Sequence, residues 1–272
     1  MKTGLIIPCY NEEKRLDVQA FLDFIKGHAD YHLCFVNDGS SDNTIGVLHR
    51  LKAQCPQRIS IVDVKRNGGK AKAVRAGVRY LYQIPEIQQM GFMDADCSTD
   101  FKDMQWLVDT LKSQGQLSLV FGSRNNGGNG IKRDPFRNLM SKMVTACIKK
   151  VVGLPIQDTQ CGAKVFSRTI VPVLFSTPFI SRWLFDVEMF LRFKKHLGAA
   201  HAISRMREVP LLRWEHVEDS KLGLKDSLRI PFRLFQISVR CQLMDYLGDR
   251  RTSMDQMETT LLLPTEEYMQ AA

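Results

Sequence analysis

The chain contains no uninterrupted stretch of about 18 apolar residues, so nothing in it reads as a membrane-spanning helix. None of its seven cysteines, at positions 9, 34, 55, 97, 147, 161 and 241, forms a C-x-x-C pair. That spacing argues against a zinc site or a disulfide framework. No G-x-G-x-x-G follows the first strand-like run, and Gly68-Gly69-Lys70 is not a Walker A loop. A dinucleotide-dependent dehydrogenase and a P-loop NTPase are therefore disfavoured. Low-complexity runs and internal repeats are also lacking. The chain enters a strand-like run, Gly4-Leu5-Ile6-Ile7, with no leader before it. With the unpaired cysteines, this gives the expectation of a protein in the reducing cytoplasm.

Acid is scarce in one region. From Arg124 to Lys150 there are seven cations (Arg124, Lys132, Arg133, Arg137, Lys142, Lys149 and Lys150) against one carboxylate, Asp134. The whole chain of 272 residues carries a net charge of +9. Such a charge suits nucleic acid, an anionic membrane surface or a phosphorylated substrate. No recognition helix, zinc finger or aromatic-interleaved basic sheet accompanies it, so nucleic acid is not an expected partner.

The sequence does contain an alternation of strand and helix. Thr3 to Cys9, His32 to Asn37, Ile59 to Val64 and Met90 to Met93 read as strands. Asn11 is read as the cap of a helix through about Gly27, with Leu16, Ala20 and Phe24 recurring every four residues. Asp38-Gly39-Ser40-Ser41-Asp42 is a turn leading into a second helix. Gly68 and Gly69 open a third. Four such units imply a mostly parallel sheet with helices on both faces. Ligands of such sheets sit beyond the carboxyl ends of the strands. Pro8-Cys9-Tyr10-Asn11-Glu12, Asn37-Asp38-Gly39 and Asp94-Ala95-Asp96 all fall there.

Asp94 and Asp96 carry the most chemistry. At the end of an extended strand, residues i and i+2 point the same way. Two hard oxygen ligands could then converge on one cation. Mg²⁺ takes one or two protein carboxylates and fills its shell with water and substrate phosphates. The pair therefore points to a diphosphate and a nucleotide-linked substrate. The competing reading is a solvated acidic turn.

Ile7-Pro8-Cys9-Tyr10-Asn11-Glu12-Glu13, Val36-Asn37-Asp38-Gly39-Ser40-Ser41-Asp42 and Met93-Asp94-Ala95-Asp96 together resemble the family 2 glycosyltransferases, which have the GT-A fold. The runs Asp158-Thr159-Gln160-Cys161-Gly162 and Arg182-Trp183-Leu184-Phe185-Asp186-Val187-Glu188 narrow the resemblance to the dolichyl-phosphate β-glucosyltransferase branch. It covers roughly residues 3 to 215. The resemblance implies an inverting enzyme that moves a sugar from a UDP-sugar to a polyprenyl phosphate. It implies that Asp38 receives the nucleotide base, with Pro8, Tyr10 and Glu12 walling the nucleoside. Asp94 and Asp96 would hold Mg²⁺ or Mn²⁺ against the diphosphate, as a Lewis acid for the departing UDP, with Ala95 beside them in the donor site. Ser98 stands where relatives can supply a further glutamine ligand. Lys70 would approach a phosphate, or be a solvated helix-start lysine. Arg124, Arg137 and Ser141 would hold the acceptor phosphate, the last two being neighbours on one helix face. Between them, the glycine-rich run 125–130 is expected to close over the donor. Asp158 occupies the family's candidate catalytic carboxylate. A phosphate acceptor is already an anion, so Asp158 would act as a base or orient bound groups. Trp183, Asp186 and Glu188 would line the sugar and acceptor pocket, with plain core packing as the competing reading for Trp183.

Residues 1–218 are read as the catalytic GT-A domain. Residues 219–249 are read as an amphipathic appendage, with Lys221, Lys225, Arg229, Arg233 and Arg240 on one face and Leu224, Leu228, Phe232, Phe235, Val239 and Leu243 mainly on the other. Pro231 divides it. Such a segment suits the inner membrane surface, packing on the domain, or a homodimer contact. Residues 250–272 read as a weakly ordered tail. The expectation is a metal-dependent transfer of a sugar from a nucleotide-sugar to a polyprenyl phosphate, with UDP-glucose the first choice of donor and galactose, GlcNAc, their uronic acids and GDP-mannose left open. The alternatives are a soluble saccharide or protein acceptor, and a non-catalytic nucleotide-sugar or lipid-binding protein.

Overall fold

In the computed structural model, residues 2–124, 145–212, 232–237 and 239 are described. The strands are β1 (Lys2–Cys9), β2 (Tyr31–Asp38), β3 (Ile59–Val64), β4 (Ile87–Phe92), β5 (Leu119–Ser123), β6 (Lys164–Ser167) and β7 (Met206–Pro210). The helices are α1 (Val18–Gly27), α2 (Thr44–Gln54), α3 (Lys70–Tyr82), α4 (Phe101–Ser113), α5 (residues 145–152), α6 (Val171–Phe175), α7 (Phe185–Leu197) and α8 (Ala199–Ser204).

The seven strands form one sheet in the order β3-β2-β1-β4-β6-β5-β7. Neighbours are parallel except around β6, which runs against both β4 and β5. Both faces are covered, and the strand pattern accounts for it. Ile6, Cys34 and Val36 point into one core with Ala73, Val74, Phe185 and Phe190 from α3 and α7. Their alternating neighbours Leu5, Ile7, Leu33 and Phe35 point into the other, with Phe21, Leu48 and Leu107 from α1, α2 and α4. Strands buried on two sides need near-continuous apolar runs, and β1 and β2 supply them. The mostly parallel α/β class read from the sequence is the one found.

Three local expectations change. First, α1 begins at Val18, not beside Asn11: Asp17 is its N-cap, accepting from Ala20 N at 3.0 Å. Asn11 is left-handed (φ 54), a conformation its short polar side chain tolerates. Its Oδ1 accepts from Ser41 N at 2.9 Å, so it ties two loops together. Second, β4 starts at Ile87 and ends at Phe92. Asp94 and Asp96 thus lie in the turn beyond it, and strand alternation does not aim them. Third, residues 232–237 are helical, with Leu234 and Ile237 buried in the main core and Phe232 and Phe235 exposed. Part of the appendage therefore packs on the domain through residues other than the phenylalanines. The rest of 219–249, and 250–272, lie outside the described residues, as do Arg137, Ser141 and the 125–130 run. Among the described residues, no helix is long and apolar enough to cross a membrane.

Candidate active site

The parallel strands deliver their carboxyl ends to one rim. Cys9, Asp38, Phe92 and Ser123 close β1, β2, β4 and β5. Because β6 is antiparallel, its first residue, Lys164, reaches the same rim, opposite Phe92 and Phe121.

Pro8 and Tyr10 are half-buried at the mouth of β1. Glu12 is buried, and its backbone N–H donates to Thr44 Oγ1 at 2.8 Å. Arg15 lies 3.6 Å from the Glu12 carboxylate and 3.8 Å from that of Asp96, and so bridges the first and third acidic motifs. The other oxygen of Asp96 accepts from Ser98 N at 3.0 Å. Ala95 is buried between the two aspartates.

Asp38 is buried and accepts from Gly68 N at 2.8 Å and Gly69 N at 2.7 Å. Burial pushes its carboxyl up, opposed by those two N–H groups and by Arg182 and Lys72. Arg182 holds the same loop from the other side. It donates to Gly68 O at 3.0 Å and Asn67 O at 2.8 Å. Gly69 needs its freedom here: its φ is +86, and a side chain would collide with Arg182. The loop thus clamped presents Lys70 at the start of α3.

The Lys70 ammonium meets Asp94 Oδ1 at 2.5 Å. Burial works against its charge, but Asp94 and then Asp186 outweigh it, so its pKa is raised. Gly162 packs against the same carboxylate, where any Cβ would strike Asp94 Oδ2.

Across the rim, Arg124 grips Asp158 by two parallel bonds, Nε to Oδ2 at 2.7 Å and Nη2 to Oδ1 at 2.9 Å. The Arg124 backbone N–H adds a third at 3.1 Å. Burial raises the Asp158 pKa, but these bonds and the guanidinium charge prevail and hold it below the usual carboxylate range. A carboxylate so held is a weak proton acceptor. Glu208 of β7 anchors the turn, accepting from Gln157 N at 2.8 Å and Asp158 N at 2.7 Å.

Trp183 is exposed, with 43% of its surface accessible, so it is not core. Asp186 is buried and pairs with Lys164 at 2.7 Å. Glu188 is also buried, accepting from Ile180 N at 2.9 Å and Arg192 at 2.7 Å, and braces the loop that carries Trp183. The structure therefore gathers Glu12, Arg15 and Asp96 into one cluster, Lys70 and Asp94 into another at the end of the loop that Asp38 holds, and Arg124 with Asp158 into a third. It sets Asp186 beneath the rim against Lys164, while Glu188 is taken up by Ile180 N and Arg192 and does not line the site. Sequence reasoning gave no role to Arg15, Lys164, Arg182 or Glu208. Lys164 had a signal, a lone lysine in the run Ala163-Lys164-Val165-Phe166; Glu208 had none.

Among the described residues no three His, Cys, Asp or Glu side chains form a metal cluster. The donor set still fits a hard cation that keeps water and phosphate ligands, since two carboxylates suffice. Each already attracts a cation, Lys70 on Asp94 and Arg15 on Asp96.

The chain is similar to several known proteins. A dolichyl-phosphate beta-glucosyltransferase of Dictyostelium discoideum is 31% identical over 249 residues, spanning 85% of this chain and 74% of that one. One of Saccharomyces cerevisiae is 30% identical, spanning 91% and 77%. A crystal structure of glucosyl-3-phosphoglycerate synthase from Mycobacterium tuberculosis, with Mn²⁺, uridine diphosphate and glucosyl-3-phosphoglycerate, superposes with a TM-score of 0.63 at 14% identity, covering 88% of this chain and 79% of that one. At that identity it speaks for the fold. The family described as Glycosyl transferase family 2 matches residues 5–175, and the chain belongs to that family.

Proposed function

We propose that this chain transfers glucose, with inversion, from UDP-glucose to a polyprenyl phosphate of the dolichyl type. The observation that carries the reading is the single rim on which Asp38, the Lys70–Asp94 pair, Asp96 and the Arg124–Asp158 pair meet. The names of the relatives supply the sugar and the acceptor.

Pro8, Tyr10, Glu12 and Asp38 wall the nucleoside, and Asp38 keeps lone pairs for the uracil N3–H besides those given to Gly68 and Gly69. Asp94 and Asp96 would hold Mg²⁺ or Mn²⁺, which would offset the charge developing on the departing diphosphate. Lys70 turns from Asp94 to a donor phosphate oxygen. Held at Nε and Nη2 by Asp158, the Arg124 guanidinium turns its Nη1 edge and its charge to the acceptor phosphate, aided by Arg137 and Ser141. The acceptor oxygen attacks the anomeric carbon as the bond to UDP breaks, so the sugar is inverted and UDP leaves. No proton need be removed from an acceptor that is already anionic. Asp158 accordingly orients Arg124 and does not act as a base. Trp183 offers an exposed apolar ring to the sugar or the lipid.

The exposed Phe232 and Phe235 beside Arg233 support contact of the 219–249 appendage with an anionic bilayer surface, with a homodimer contact as the competing use. The free thiols of the described cysteines fit a reducing compartment, hence the cytoplasmic face. Binding of a short polyprenyl phosphate, followed by Arg124→Ala, tests the acceptor. The variant should lose at least about tenfold in acceptor affinity while keeping UDP affinity. Equal affinity for lipid phosphate in both proteins would remove Arg124 from that role.

A further inference from the structure

Lys164 is fully buried, at 0% exposure. An ammonium there is costly unless its donors find acceptors. It donates to Cys161 O at 2.7 Å and Thr159 O at 3.1 Å, and forms an ion pair with Asp186 Oδ1 at 2.7 Å. The rings of Phe92 and Phe190 lie 5.7 Å from it. Charge balance alone would need only Asp186. The two carbonyls belong to the turn between Asp158 and Ala163, and both ends of that turn are in the rim. Asp158 is locked to Arg124, and Gly162 abuts Asp94. The strand register sets Lys164 between Phe92 and Phe121, below the strand ends that lead to Asp94 and Arg124.

We propose that Lys164 is a positioning residue for the transfer. Held on Asp186, it draws the Thr159 and Cys161 carbonyls onto the sheet. It thereby sets the separation between the Arg124–Asp158 pair and the Asp94 carboxylate, and hence between acceptor and donor phosphates. Lys164 touches neither substrate. The inference rests on the transferase reading above and goes beyond it in naming what holds the two half-sites in register.

The test uses the full chain with Lys164→Met alone and with Lys164→Met plus Asp186→Leu. The single change strands a buried carboxylate and should lower the melting temperature most. Removing both charges should restore much of it, because apolar replacements of buried ion pairs are often tolerated. In the double variant the backbone amides of Gln157, Asp158 and Gln160 should still exchange at least about tenfold faster than in the parent, since the turn has lost its tie. Its kcat should stay about a hundredfold down, as misplacement by an ångström can produce, with the KM for UDP-glucose and for a short polyprenyl phosphate within about threefold of the parent. Recovery of kcat in step with melting temperature would overturn the proposal, leaving Lys164 a plain structural ion. Unchanged exchange would do the same. So would a loss carried by the acceptor KM, which would make Asp186 an acceptor contact. A parent that does not glycosylate lipid phosphate would sink the transferase reading, while the exchange result would still decide whether Lys164 ties the turn.

Discussion

Asp158 and Lys70 show how single charges at the rim are set by their partners. The Arg124 fork keeps the Asp158 pKa low, so this group stays ionised across the neutral range. The acceptor phosphate, with a second ionisation near about 6, is then the group expected to titrate. The pH profile of kcat/KM should show an acidic limb near that value, and Asp158→Asn should lower the plateau about tenfold or more without moving the limb. A limb that vanishes in the variant would identify Asp158 as a general base. Lys70 competes for the carboxylate that would receive the metal. Partly exposed ion pairs contribute about 0.2–1 kcal/mol. Lys70→Met should therefore tighten binding of Mn²⁺ alone up to about fivefold, measured by its spin resonance signal. The same variant should weaken UDP by about tenfold or more, as expected for a lost charge-assisted phosphate contact. Weaker binding of Mn²⁺ alone would show that Lys70 supports the metal site instead of competing with it.

At the scale of elements, the loop between β3 and α3 is the best-held part of the donor side. Asp38 binds its N–H groups and Arg182 its carbonyls. A loop clamped on both edges presents its helix start without reorganisation, which lowers the cost of binding. Arg182→Ala should release one edge, weakening UDP about tenfold in a calorimetric titration while the melting temperature falls by only a few degrees. Undiminished UDP affinity would mean that Asp38 alone fixes the loop.

β1 and β2 were legible because each lies between two cores and so carries an almost unbroken apolar run; β3 was legible from its β-branched residues, and β4 only from Met90 on, because Gln88 and Gln89 break its start. The motif loops at their ends were legible because Asp38, Asp94 and Asp96 break those runs with charge. β6 was not legible. It is four residues long, opens with the buried Lys164 and relies on β4 and β5 for its partners. β7 hid for a similar reason, since Arg207 and Glu208 make Met206–Pro210 look like a surface segment. Asn11 looked like a helix cap because asparagine favours both caps and left-handed turns, and only its tertiary bond to Ser41 separates the two. Asp94 and Asp96 were identified as a pair from their spacing, but what faces each of them depends on Lys70 and Arg15, which arrive from other elements.

For the molecule as a whole, stability and chemistry have separate acid sensitivities. His32 begins the run of β2 away from the rim and contacts Ser60 Oγ at 2.8 Å. Burial, and secondarily the Lys2 charge, push its pKa down from 6.5 to about 4. The fold holds the neutral imidazole, so the unfolded chain takes up the proton first as pH falls. That stability is present above about 6.5 and is lost progressively down to about 4. The melting temperature should fall across that window, and His32→Gln should flatten the fall. An equally steep fall in the variant would assign the effect to other groups.

On the function proposed, one rim joins a metal-bound UDP-sugar to a lipid phosphate. It is tested most directly by release of UDP from UDP-glucose, with Mn²⁺ or with chelator, in the presence and absence of a short polyprenyl phosphate. Turnover should require both the metal and the lipid phosphate and should yield the glucosylated lipid. Metal-dependent release of UDP that is indifferent to lipid phosphate would contradict it.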